Sequence, residues 1–228
     1  MRLAGDRRLH VFADRVAAGR ELARELERRA LRPPLIVLGL PRGGVAVAQP
    51  VAHALHAPLD ALVVRKVGMP GQPELAMGAI ATGNIVVRET RPDHRWYRAG
   101  AQPRDMFERV AAAERRELER REALYRAGRP PLDLQGKTAI LVDDGLATGA
   151  TMIAAIRAAR KADATSVIVA APVASAEAIA RVGAEADETV VLTVPEALMS
   201  IGEWYDRFEQ LSDAEVTHIL TRAPTENE

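Results

Sequence analysis

Five short, nearly continuous apolar runs set the limits on what this chain can fold into. They cover residues 35–40, 59–64, 139–142, 166–171 and 189–194. A run of four to six residues without polar alternation suits a strand buried on both faces. Between the runs lie stretches with helical spacing, at 44–56, 150–162 and 175–184. A further amphipathic helix is predicted over 10–31, where Phe12, Val16, Leu22, Leu26 and Leu31 recur among charges, and Pro33 and Pro34 stop it. Buried strands alternating with helices predict an α/β fold: a doubly wound, mostly parallel sheet flanked by helices. A length of 228 residues suits one such domain. Pro50, inside the helix at 44–56, is expected to kink it.

One segment breaks the rhythm. Residues 67–100 are rich in glycine and proline, and 84–88 reads as a short strand in a hairpin. A charged helix is predicted over 104–127, with Glu117/Arg121 and Glu122/Arg126 spaced to pair across a turn. Its charges read as a solvated face. Lys plus Arg and Asp plus Glu both number 31, so no global field draws in nucleic acid or an anionic membrane. Anion binding has to be local. Cysteine is absent, which excludes disulfides, thiolate metal sites and cysteine nucleophiles. The N-terminal residues lack the apolar core of a signal peptide, and no stretch reaches the roughly 20 apolar residues of a membrane span. A soluble, cytoplasmic protein is expected.

Residues 139–151 are the most informative. Four apolar residues lead into Asp143 and Asp144, placing two carboxylates at the C-terminal end of a buried strand. In an open α/β sheet that end is where ligands bind. Gly145, Ala147, Thr148 and Gly149 follow, and a helix begins near Ala150 and Thr151. Backbone amides at a helix start form an anion site, the threonine hydroxyls add donors, and glycine lets the backbone approach a phosphate. Adjacent carboxylates suit the two hydroxyls of a vicinal diol, with a divalent metal nearby. Together these features describe a cradle for a ribose 5-phosphate. The chain has neither G-x-x-x-x-G-K-[ST] nor G-x-G-x-x-G.

The run 142–151 (VDDGLATGAT) resembles the phosphoribosyl-pyrophosphate signature of type I phosphoribosyltransferases. The resemblance extends over about residues 10–210. It implies one domain over 1–228, with a flap loop and charged helix inserted at 67–130 and a small hood in about 190–228. It implies transfer of a phosphoribosyl group to a nitrogenous acceptor, with release of pyrophosphate. A regulator that binds the sugar phosphate without turnover is the alternative. Asp143 and Asp144 would hold the ribose hydroxyls and assist Mg²⁺ through water and ligand. Arg42, Gly43 and Gly44, after the first strand, would form the pyrophosphate loop, with a cis peptide at Pro41–Arg42. Arg65 and Lys66 would end the second buried strand beside the same crevice, Lys66 contacting pyrophosphate. Trp204 or Tyr205 would stack on the acceptor. Homodimers occur in the family. One position departs: purine-salvage members carry an acid where this chain has Ala147, so the proton of an acceptor base must be managed by another group or need no managing.

Overall fold

The computed structural model describes residues 11–88 and 103–223; the parts of the expected flap and C-terminal region at 89–102 and 224–228 lie outside the described residues. The chain runs α1 (Arg15–Glu27), β1 (Leu35–Gly39), α2 (Gly43–Ala54), β2 (Leu59–Ala61), β3 (Val64–Met69), β4 (Gln72–Ala81) and β5 (Ile85–Arg88). It continues through α3 (Pro103–Tyr125), β6 (Thr138–Val142), α4 (Ala150–Lys161), β7 (Ser166–Val173), α5 (Ala176–Gly183) and β8 (Glu188–Thr193) to α6 (Asp213–Thr221). A single 3-10 turn, Gly202–Trp204, lies before α6.

β2, β1, β6, β7 and β8 form a parallel sheet in that order. Its strands are apolar on both sides because both sides are covered. Val37, Ile140, Ile168 and Ala170 face one hydrophobic cluster with residues of α1, α2 and α6. Ile36, Leu38, Leu141 and Val169 face another with residues of α4 and α5. This is the doubly wound arrangement expected from the sequence. α1 crosses α2 closely: a Cβ on Gly19 would lie 2.4 Å from the Val47 carbonyl oxygen and 2.5 Å from the Pro50 ring. Pro50 does not end α2, which runs on to Ala54.

The second apolar run divides. β2 stops at Ala61, and Val63 turns to a new partner, its amide donating to Thr82 Oγ1 at 3.0 Å and its carbonyl accepting from the Thr82 amide. From Val64 the chain belongs to a separate antiparallel sheet, β3-β4-β5. The stretch 67–83, expected as a flap loop, is therefore largely a hairpin. Its glycines serve register shifts near Gly68 and a close crossing at Gly78, where a Cβ would lie 2.2 Å from the Val87 carbonyl oxygen. The predicted strand at 84–88 is β5.

α3 packs along β3 and β4, and its charges are not all solvated. Both expected pairs form, Arg121 with Glu117 at 2.6 Å and Arg126 with Glu122 at 3.7 Å, but Arg126 is buried and also meets Asp60 of β2 at 2.9 Å. No described helix is long and apolar enough to cross a membrane.

Candidate functional site

The sheet reverses its winding between β1 and β6: β2 was added on one side, β7 and β8 on the other. Ligands of open α/β sheets bind at such a switch point, beyond the C-terminal strand ends. β6 delivers Asp143 and Asp144 there, and β1 delivers residues 40–44 beside them, with the Leu40 amide donating to the Val142 carbonyl at 2.9 Å.

The two segments touch closely at this pair of glycines, and at Gly44 the neighbour is main chain. A Cβ on Gly43 would lie 1.9 Å from Asp144 Oδ2, and one on Gly44 2.5 Å from the Val142 carbonyl oxygen. The Pro41–Arg42 peptide is cis, as the resemblance implied. Arg42 stands at the cap of α2, partly exposed, with Nη1 3.8 Å from Asp213 Oδ1. Arg15, Arg42, Gly43, Asp144, Phe208 and Gln210 line an open cleft.

After the carboxylates, the loop is tied down from outside. The Leu146 amide donates to the Val173 carbonyl, and Ser175 donates its amide to the Leu146 carbonyl and its hydroxyl to the Ala147 carbonyl. Arg181 of α5 donates to the Thr148 carbonyl at 2.8 Å. Gly149 adopts φ 72°, a conformation that favours glycine. It caps α4 without a side-chain hydrogen bond; the Ala150 amide makes a long contact to Thr148 Oγ1 at 3.4 Å, and the other amides of the first turn lie beside exposed Thr148 and Thr151. Carbonyls are held by neighbours and amides are presented. That is an anion cradle.

The carboxylates differ. Burial, with the adjacent charge of Asp144, pushes the Asp143 carboxyl well above its usual value of 3.8. Its Oδ1 accepts the Asp144 amide at 2.9 Å. Asp144 forms an ion pair with Arg15, Nε to Oδ2 at 2.8 Å. Among the described residues no cluster of three or more acidic or histidine side chains could enclose a metal. Two neighbouring carboxylates fit Mg²⁺ held chiefly by ligand oxygens and water.

Asp143, Asp144, Arg42, Gly43, Gly44 and residues 145–151 thus converge on one sheet edge. Three predicted residues sit on elements other than those expected or are enclosed. Arg65 and Lys66 do not end a strand of the main sheet; they lie on β3, because the chain leaves that sheet after Ala61. Arg65 forms an ion pair with Glu114 of α3, Nη2 to Oε2 at 2.6 Å. Trp204 is only 5% exposed. It packs with Phe12, Ala18, Val173 and Tyr205, so its ring is core and cannot stack on an acceptor.

The sequence reading missed Arg15, Phe208, Ser175 and Arg181. Ser175 carried a signal, a serine placed to cap a predicted helix. Arg15 carried none, since its carboxylate partner lies 129 residues away.

A family model described as the phosphoribosyl transferase domain matches residues 12–198. A Mycobacterium tuberculosis protein, whose name gives it provisionally as a phosphoribosyl transferase, is 44% identical over 221 residues in both the H37Rv and the CDC 1551 strain. The match covers 94% of this chain and 47% of the relative, so the chain spans about half the length of the curated relatives it matches. The crystal structure of TT1426 from Thermus thermophilus is 42% identical, with a TM-score of 0.82, covering 92% of this chain and 97% of that one. The chain belongs to the phosphoribosyl transferase domain family.

Proposed function

We propose that the protein binds 5-phosphoribosyl-1-pyrophosphate and transfers its phosphoribosyl group to a nitrogenous acceptor, releasing pyrophosphate. One observation carries this reading: two carboxylates and an outward-facing helix start share a single loop at the switch point of the sheet. The amides and hydroxyls of 147–151 would grip the 5-phosphate, and that remote binding energy would orient C1 of the sugar. Asp143 and Asp144 would accept hydrogen bonds from the ribose hydroxyls and favour positive charge developing on the ring. Gly43 and Gly44 let the 41–44 turn lie against the carboxylate loop, so the start of α2 would face the pyrophosphate, and Arg42 would offer it a cation. Mg²⁺, bound mainly through pyrophosphate oxygens and water beside the two carboxylates, would supply charge neutralisation at the leaving group. Lys66, near the start of β3, would contact the pyrophosphate. The region about 190–228 would act as the hood, and cytoplasmic residence fits the chemistry.

Titration calorimetry with phosphoribosyl pyrophosphate and Mg²⁺ tests the binding half. Saturable binding is expected, weakened in both Asp143→Asn and Asp144→Asn; affinity unchanged in both variants would remove the loop from the site. Pyrophosphate release, followed against a panel of nitrogenous bases, tests the chemistry. Base-dependent release establishes the transferase. Tight binding without turnover would instead establish a regulator, and release without any base a hydrolase.

A further inference from the structure

The N-terminal segment and the C-terminal segment are joined by a ladder of contacts that ends on one of the two carboxylates. The Phe12 amide donates to the Trp204 carbonyl, and the Asp206 and Arg207 amides donate to the carbonyls of Phe12 and Ala13. Asp14, which caps α1, meets Arg207 at 2.5 Å. Arg15 is the last rung, and it faces inward. Its side chain is 11% exposed. Nη1 donates to the Glu209 carbonyl at 2.9 Å, the guanidinium lies 3.9 Å from the centre of the Phe208 ring, and Nε donates to Asp144 Oδ2 at 2.8 Å. Phe208 in turn stacks on Tyr205, with ring centres 4.9 Å apart. The Tyr205 hydroxyl donates to the Asp144 carbonyl at 2.6 Å. Asp144 is therefore held at both its carboxylate and its backbone by residues outside its own loop.

We infer that Arg15 is a positioning residue: clamped between the Phe208 ring and the Glu209 carbonyl, it aims the Asp144 carboxylate at the sugar site. This rests on the reading of Asp144 as a ribose ligand. The geometry explains why the contact is specific. Asp144 Oδ2 occupies the space a Gly43 side chain would fill, and the hydrogen bond from Arg15 holds it there. Asp144 Oδ1 takes no part in that ion pair and would be the oxygen that accepts a sugar hydroxyl. A guanidinium already fixed by two contacts loses little freedom when it holds a carboxylate, which suits it to an orienting task better than a flexible ammonium. Partners that orient a binding group typically change affinity or activity about 10- to 100-fold when removed.

Arg15→Gln and Arg15→Lys, assayed with phosphoribosyl pyrophosphate and Mg²⁺, test this. The glutamine variant is expected to bind phosphoribosyl pyrophosphate about 10- to 100-fold more weakly, with partial rescue by lysine. In turnover the loss should fall on KM for the sugar more than on kcat. Asp14→Ala is the control, because it loosens the same junction without touching Asp144. If Asp14→Ala weakens binding as much as Arg15→Gln, Arg15 acts only by docking the two segments and the inference is overturned. Wild-type affinity in Arg15→Gln overturns it too. Failure of the wild type to bind phosphoribosyl pyrophosphate would instead bring down the reading beneath it, and Asp144→Asn separates the two cases by removing the ribose ligand itself.

Discussion

At the residue scale, the two neighbouring glycines of the 41–44 turn make different demands. A methyl at Gly43 would meet the end of a side chain, Asp144 Oδ2 at 1.9 Å, which can swing aside. A methyl at Gly44 would meet main chain, the Val142 carbonyl oxygen at 2.5 Å and Asp143 Cα at 2.9 Å, which cannot. Overpacking costs about 1–3 kcal/mol, with rigid neighbours at the upper end. Gly44→Ala is therefore expected to lower the urea unfolding midpoint more than Gly43→Ala. Gly43→Ala should still lose affinity for phosphoribosyl pyrophosphate, because its cheap relaxation moves a carboxylate of the site. Equal midpoints would show that the turn yields as easily as the side chain. Asp143, Asp144 and the loop after them were legible in the sequence because their chemistry is local: strand, carboxylates, glycine and threonine all lie within 139–151. Trp204 misled for the opposite reason. An aromatic in an aromatic-poor chain draws notice, but only the fold shows that Phe12 and Val173 enclose it.

At the scale of elements, helices and parallel strands were readable because their periodicity reports burial, and burial is what the doubly wound sheet dictates. Of the antiparallel sheet only β5 was readable, since β3 and β4 carry glycines that mark register shifts as well as loops. The reach of α3 was hidden too. Its charge pattern is that of a solvated helix, yet the chain at its end is anchored inward. Arg126 donates to Asp60 at 2.9 and 3.1 Å, and Arg129 lies 3.8 Å from the same carboxylate, with all three side chains no more than 12% exposed. Removing the acid leaves two buried cations with only Glu122, 3.7 Å from Arg126 Nη1, and backbone carbonyls as partners, and breaking a buried pair in this way costs up to about 3–5 kcal/mol. Asp60→Ala should lose that much stability in urea unfolding while a refolded sample keeps its sugar affinity; a loss below about 1 kcal/mol would mean the arginines re-pair elsewhere. α5 has a different task, bracing the phosphate loop through Ser175 and Arg181. Arg181→Ala removes a single partly exposed hydrogen bond, about 0.5–1.5 kcal/mol. Ribose 5-phosphate affinity should fall by a corresponding few-fold to roughly tenfold, and wild-type affinity would show that the loop holds its shape without α5.

For the whole molecule, the site sets a cost that folding must carry. The Asp143 carboxyl is raised well above 3.8 by its burial and by Asp144, so the folded protein binds its proton more tightly than the unfolded chain does. By linkage, the stability this contributes is fully present below the unfolded value and is lost as pH rises through the folded one. Above the unfolded value, and so near neutral pH, the carboxyl is thus a net liability in the unliganded protein. Asn at this position keeps an oxygen to accept the Asp144 amide and lacks the charge. Asp143→Asn is expected to melt higher than wild type near neutrality, and the difference should shrink as pH falls toward about 4. The same variant should bind phosphoribosyl pyrophosphate less well, as active sites commonly trade stability for function. Melting curves of both proteins from about pH 4 to about pH 8, taken without ligand, decide it. A difference that stays constant with pH would show that Asp143 ionises as freely in the folded chain as in the unfolded one, and that the carboxylate pair stores no electrostatic cost for a bound sugar to relieve.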